Sequence, residues 1–325
     1  MSTDHTHVKD LLRRGLEYHL QGRLAEAAQA YRAALELDAD NASAHNNLGF
    51  LLAQQQAWDE ARVHLRAALR LKPDMAMAHS NLGQVLVATG EVADGKHHLE
   101  QATRLDPENP TVWDNLARIR LLGGDLQGGE YAAMRAVRLQ QDDPALHVRL
   151  GTSVALQRRT DEAVEHFRRA LGLDPNHAEA WAQLGIACFL HNDLGSACDA
   201  LGRALALRPD DANAERHLAL ARLALGETDA AIAGFEHLLE RHPEDGQTRL
   251  DLAAVLLSRH RPDDALAQLD ALPEALRRSE KAVFHRAVAL RARGDCASGD
   301  EILRSVADNP TGEYAERAKA VLGAH

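Results

Sequence analysis

Side chains capable of chemistry recur in this chain at a fixed step. Asn47, Asn81 and Asn115 lie 34 residues apart, and the step continues through Arg149, Gln183 and His217. An amide offers a donor and an acceptor together, and a guanidinium offers only donors. Such a row suits reversible hydrogen bonding along a line. Covalent chemistry has no comparable support, since no nucleophile stands with a base at motif spacing and no carboxylate pair is set apart. The expectation is therefore a protein that is not an enzyme and needs no cofactor. The glycine-rich stretch GGDLQGG at 123–129 is not a phosphate cradle, because Glu130 follows where a phosphate loop requires Lys.

Eighteen histidines raise the question of a metal. His45, His79 and His147 are separated by multiples of 34 residues, and so are His64, His98 and His166. That periodicity spreads them along the chain instead of gathering them on one ion, so no metal site is expected. Cys188, Cys198 and Cys296 are odd in number and form no CxxC pair, which argues against a disulfide framework or a zinc knuckle. Cys188 and Cys198 read as small, buried, reduced thiols.

The elements that must position these residues follow from composition and period. Hydrophobic residues make up 45% of the 325 and aromatics only 4%, so Ala and Leu carry a core of close-packed helices. A net charge of −11 makes the chain a poor binder of nucleic acid. The opening MSTDHTHVKDLLRRG has no apolar signal region, and no stretch is apolar enough for a membrane helix. A soluble, cytoplasmic protein is the expectation.

Three stretches align without gaps at the 34-residue period: NNLGFLLAQQQAWDEARVHLRAALRLKPD, SNLGQVLVATGEVADGKHHLEQATRLDPE and AQLGIACFLHNDLGSACDALGRALALRPD. Gly15, Gly49, Gly83, Gly151 and Gly185 keep this register, as do Pro73, Pro107, Pro175, Pro209 and Pro243. Units start at residues 8, 42, 76, 110, 144, 178, 212, 246 and 280. Position 20 reads Ala27, Ala61, Gly95, Gly129, Ala163, Ala197, Ala231, Ala265 and Gly299. Small residues there, and at positions 8 and 27, let two helices approach, while large residues at 4, 7, 11 and 24 fill the space between them. Gly22, Gly90, Gly226 and Gly294 close the first helix, and proline at position 32 closes the second.

This pattern resembles the tetratricopeptide (TPR) repeat family. The resemblance implies an all-α TPR solenoid: a right-handed superhelix of nine helix-turn-helix repeats over 8–313, with a disordered N-terminus at 1–7. A C-terminal capping helix at 314–325 would turn Ala318, Val321 and Leu322 inward. Repeats 4 and 8 depart from the pattern. Repeat 4 has Ala117, Arg120 and Ala133 where glycine and two large residues belong, and repeat 8 has Pro273 inside its second helix.

The resemblance also implies a site. In the family, the first helix of each repeat lines the concave face, with contacts from repeat positions 2, 5, 6, 9, 12 and 13. Position 6 holds the row of Asn47, Asn81, Asn115, Arg149, Gln183 and His217. It is similar to the asparagine ladder in the TPR superhelix of O-GlcNAc transferase, which grips the backbone of an extended peptide. Seven bases and three acids at these positions, with Arg118 among the bases and Asp114, Glu179 and Asp251 the acids, leave a groove of +4. An extended, neutral-to-acidic segment of another protein is the expected ligand. Phe50, Phe189 and Phe284 are candidate apolar anchors.

The function implied is a non-catalytic scaffold or adaptor for protein–protein interaction. Alternatives are an accessory subunit of an enzyme complex, or a self-assembling structural protein and hence a homo-oligomer. The last is motivated by the stripe Leu12, Leu16 and Leu20, at groove positions where later repeats read as more polar.

Overall fold

The structure is a computed structural model that describes residues 2–309 and 311–323; Met1, Pro310, Ala324 and His325 lie outside it. The described residues form twenty helices and no strand. The chain divides into two compact units, Met1–Pro175 and Asn176–His325.

The first unit contains five helix pairs: α1 (Ser2–Leu20) with α2 (Leu24–Leu37), α3 (Ala42–Gln54) with α4 (Trp58–Leu71), α5 (Ala76–Ala88) with α6 (Val92–Leu105), α7 (Pro110–Leu122) with α8 (Leu126–Leu139), and α9 (Pro144–Ala155) with α10 (Thr160–Leu173). The second contains α11 (Ala178–Leu190) with α12 (Leu194–Leu207), α13 (Ala212–Ala224) with α14 (Thr228–Arg241), α15 (Gly246–Ser258) with α16 (Pro262–Asp270), and α18 (Glu280–Arg293) with α19 (Cys296–Ala307). Two further helices, α17 (Glu274–Arg277) and α20 (Ala315–Gly323), complete it. The first helix of a pair is termed A and the second B. Helix α1 starts at Ser2, inside the stretch expected to be disordered.

Each A helix packs on its own B helix, and within a unit B packs on the A helix that follows. The close A–B contact rests on a size match. A Cβ added to Gly15 would lie 2.4 Å from the Tyr31 ring, and one added to Gly151 would lie 2.6 Å from that of Phe167. Both rings are fully buried. Repeat 4 meets the same requirement from the other side: Ala117 and Ala133, both buried, replace the glycine and the large residue. Its Arg120 stands where most other repeats carry an apolar residue, and it bonds Glu100 Oε1 at 3.2 Å and the Gly128 carbonyl at 3.3 Å.

Every A helix ends in one residue with positive φ: Gly22, Gln56, Gly90, Gly124, Arg158, Asn192, Gly226, His260 and Gly294. All nine occupy position 15. The left-handed conformation is what lets the chain reverse into helix B, and the backbone N–H of the next residue bonds back into helix A. In repeat 8, Pro273 follows the short α16, whose nine residues end at Asp270, and α17 takes up the remainder. At the C-terminus Ala318 is fully buried, with Val321 and Leu322 packed beside it against Phe284 and Leu303.

Candidate functional site

Three members of the row at position 6 are already hydrogen-bonded to partners one repeat back. Asn81 Nδ2 donates to Asn46 Oδ1 at 3.0 Å, Asn115 Nδ2 to Ser80 Oγ at 3.0 Å, and Arg149 Nε to Asp114 Oδ1 at 3.0 Å. Each contact joins position 6 of one A helix to position 5 of the preceding one, 35 residues earlier. Asn81 keeps only 4% of its surface exposed. Asn47 sits at the end of the row, accepting from Asn46 Nδ2 at 3.1 Å. The second unit repeats the rule with charge: Arg216 donates to Asp251 Oδ2 at 2.7 Å, and Lys281 and Gln247 bond the other oxygen at 2.9 and 3.2 Å. Within each unit these contacts knit neighbouring A helices together.

These bonds show which of the charges read from the sequence are already paired within the protein. Asp114 and Asp251, two of the acids counted there, are paired with Arg149, Arg216 and Lys281. Arg291 is turned inward to Asp300 and to the Val321 carbonyl. Arg118 differs. Its Nη2 donates to Gln84 Oε1 at 2.6 Å, and among the described residues it makes no ion pair. Burial, followed by the nearby Arg149 charge, pulls its pKa below the ordinary arginine value.

Two clefts open on the A-helix face of the first unit. Leu16, His19, Leu20, Tyr31, Asn47 and Phe50 line one of about 180 Å³. Phe50 also borders the second, of about 200 Å³, between Ala53, Gln54, Trp58, Val85 and Ala88, with Asn81, Gln84 and Arg118 supplying its polar atoms. His19 lies against Phe50 with ring centres 5.4 Å apart.

The leucine stripe of α1 splits: Leu12 packs into the core, whereas Leu16 and Leu20 are exposed. Later repeats of the first unit do carry polar residues at the positions of Leu12 and Leu16, among them Asn46, Ser80, Asp114, Gln84 and Arg118, but the expectation fails at the position of Leu20. At position 13, Leu122 (72% exposed) and Leu156 (51%) restore the apolar surface of Leu20 (80%) in the first unit, and Leu190 (68%) holds that position in the second. The signal was the same 34-residue step that marked the asparagines.

In the second unit, Gln183 is half-buried on α11. Phe189 meets His217 edge-on at 6.2 Å, and His217 Nδ1 donates to the Asn213 carbonyl at 2.8 Å. Phe284 is no surface anchor: it is buried against Tyr314, with ring centres 5.1 Å apart.

The histidines pair across the two helices of a repeat, which the sequence reading missed. His45 Nδ1 faces His64 Nδ1 at 2.9 Å, and His79 Nδ1 faces His98 Nδ1 at 2.8 Å. His45, His79 and His147 each donate through Nε2 to a carbonyl six residues back, of Ala39, Pro73 and Gln141. Their Nδ1 is then an acceptor, and the partner donates. His147 and His166 stack at 6.1 Å instead, and His147 Nδ1 is buried without a partner. Trp113 makes the same link, from Nε1 to the Pro107 carbonyl at 2.8 Å. Position 4 therefore ties each of these repeats to the loop before it. Burial lowers the pKa of His64, His98 and His166, with the facing histidine the next cause. Among the described residues no three His, Cys, Asp or Glu side chains gather on a common point. Cys188 is buried, and burial raises the pKa of Cys198.

Stacked helix pairs with clefts on their A helices define a helical-repeat protein of the kind that presents binding surfaces. Family models described as TPR repeat (residues 15–56) and tetratricopeptide repeat (residues 52–119, 148–212 and 222–293) match the chain. The chain belongs to the tetratricopeptide-repeat family. The crystal structure of the APC/C hetero-tetramer Cut9–Hcn1 is similar over 86% of this chain, with a TM-score of 0.71 and 18% identity. This chain spans 55% of the length of that one. A structure from the functional characterisation of Pseudomonas aeruginosa pilF matches 66% of this chain and 97% of its own, with a TM-score of 0.56 and 19% identity. A thermophilic TPR protein of Thermus thermophilus, TTC0263, matches 56% of this chain and 99% of its own, with a TM-score of 0.51 and 19% identity. No curated protein matches. Among the described residues no helix is long and apolar enough to cross a membrane. The family and fold are those of protein-interaction scaffolds.

Proposed function

We propose that the A-helix face of the first unit binds an extended segment of a partner protein, and that the protein is a non-catalytic adaptor. The observation that carries this is the pair of adjoining clefts sharing Phe50, open to solvent and walled by apolar side chains from successive A helices. Recessed apolar surface with a few polar atoms at one end is what a ligand site needs. The hydrogen-bonded row is the floor of this face. Asn47 and Asn115 keep exposed surface and unused amide hydrogen-bonding capacity for a peptide backbone, while Asn81 is committed to Asn46. The ligand is neutral to acidic, because Arg118 brings to the second cleft a cation that no carboxylate of the described residues pairs. In the second unit Gln183, Phe189 and His217 would offer a lesser surface of the same kind.

The test begins with a partner purified by affinity from the native cell and identified by mass spectrometry. It is then titrated against Phe50→Ala and Asn47→Ala. Loss of one anchor is expected to weaken binding about fivefold or more. Arg168→Ala, exposed on helix B of repeat 5, is expected to bind as wild type. The reverse pattern would move the interface to the outer face.

A second reading has its own observation. Leu16 and Leu20 border the first cleft and are at least half exposed, as a self-association surface would be. Light scattering over a dilution series decides it. An oligomer that Leu16→Glu converts to a helical monomer supports self-assembly, and a monomer at about 10 µM, a level typical of moderate affinities, removes it.

A further inference from the structure

We propose that the cleft running from Phe50 to Arg118 selects a large apolar side chain followed closely by a carboxylate, so that the partner segment is recognised by an apolar–acidic pair. This rests on the reading of the A-helix face as a peptide site and adds to it the chemistry of the residues recognised.

The cleft is polarised along its length. Phe50, Ala53 and Trp58, from α3 and α4, wall one end, with Val85 and Ala88 of α5 beside them. At the α7 end the side chains present donors. Arg118 spends one N–H on Gln84 Oε1, which leaves its other donors and the Gln84 amide hydrogens free of protein acceptors among the described residues. The carboxylate close to it on its own helix is that of Asp114, one turn earlier, and that group is engaged by Arg149 at 3.0 Å. The three charges therefore sum locally to one unopposed positive charge, half-buried in the wall of a largely apolar cleft. A guanidinium in that setting is costly until a carboxylate reaches it, and a bidentate Arg–carboxylate contact is strong and directional. An amide or hydroxyl would leave the charge unopposed. The lowered Arg118 pKa agrees with the same deficit. The cleft has side-chain dimensions, at about 200 Å³, so it accepts one anchor and not a helix. An extended segment places neighbouring side chains about 3.3 Å apart along its axis, which suits an anchor and an acid within two residues of each other.

A random heptapeptide display library is selected against the full chain. Enriched peptides are then synthesised with Asp or Glu, and again with Asn or Gln in its place, and titrated by fluorescence anisotropy against wild type, Arg118→Gln and Arg118→Lys. Circular dichroism confirms that each variant keeps its helicity. Enriched peptides are expected to carry Leu, Ile, Met or Phe within two residues of Asp or Glu. Neutralising the acid is expected to weaken binding to wild type about tenfold to a hundredfold, the range for a charge-assisted bond. Against Arg118→Gln the same change is expected to have little effect, and Arg118→Lys should recover part of the loss. Enriched peptides without an acid, or an acid whose removal costs the same in wild type and Arg118→Gln, would overturn the proposal and leave the peptide site standing. No enrichment at all would remove both. Concentration-dependent self-association abolished by Arg118→Gln would assign the cleft to a second copy of the chain and also overturn the proposal.

Discussion

A single backbone position governs each turn of this protein, and it is occupied unevenly. Position 15 is left-handed in all nine repeats, yet Gln56, Arg158, Asn192 and His260 stand there beside five glycines. A side chain in that conformation costs about 1–2 kcal/mol. Gly90 has φ +89° and open space around it, so Gly90→Ala should lose about that much although nothing clashes. Gly202, inside α12 with equally open surroundings, should gain about 0.5–1 kcal/mol on change to Ala. Urea denaturation of both variants checks the contrast. The histidine pairs make a second prediction. His64, His98 and His166 have folded pKa values below the ordinary 6.5, and His285 lies at about 4. Below pH 6.5 the unfolded chain takes up protons that the folded chain does not, so stability is full above that pH and falls toward pH 4. Gln at 64 and 98 keeps a donor for the facing ring, and Gln at any of the three positions cannot titrate. That triple variant should show a smaller drop in melting temperature between about pH 7 and 5 than wild type.

At the scale of the element, neighbouring helices are held by contacts 35 residues apart, and these were only half legible in the sequence. The period and the A–B packing rule could be read, because each repeat restates them with small and large residues at fixed positions. Asn81, Asn115 and Arg149 were legible as a row, but their partners were not. Those partners depend on how successive A helices stack, which sets position 6 beside position 5 of the previous repeat. The pairing of His45 with His64 and of His79 with His98 had a signal, a shared spacing of 19 residues, that was not used. The contact around Asp251 allows a quantitative test. It is 9% exposed and holds both Arg216 and Lys281. Asp251→Ala should cost about 3 kcal/mol, the low end for breaking a buried pair, because both cations keep some solvent. Chemical denaturation measures it. Repeat 4 should open most readily among internal repeats, since Ala117 and Ala133 make fewer contacts than a glycine under a ring. Hydrogen exchange fastest over 110–143 is the expected result, and uniform protection across repeats 2–5 would contradict it.

For the whole molecule, the sequence period identified the fold, and the charge count did not show which charges are paired within the protein. Counting residues by position gave a basic groove. The structure pairs part of that charge internally, and Leu16, Leu20, Phe50, Leu122 and Leu156 add exposed apolar surface along the first unit's A helices. Sequence position specifies which side of a helix a residue takes, whereas its neighbour's side chain decides whether it stays available to a partner. On the proposed function, the A-helix face of the first unit holds the partner. The most direct test is a photo-crosslinking amino acid placed at Gln54, which bonds His19 and lies on the rim of the second cleft, and separately at Arg168 on the outer side. Each is irradiated in the native cell, and adducts are identified by mass spectrometry. A partner adduct at 54 and none at 168 is the expected result; an adduct at 168 with none at 54 would place the partner on the other side of the helices.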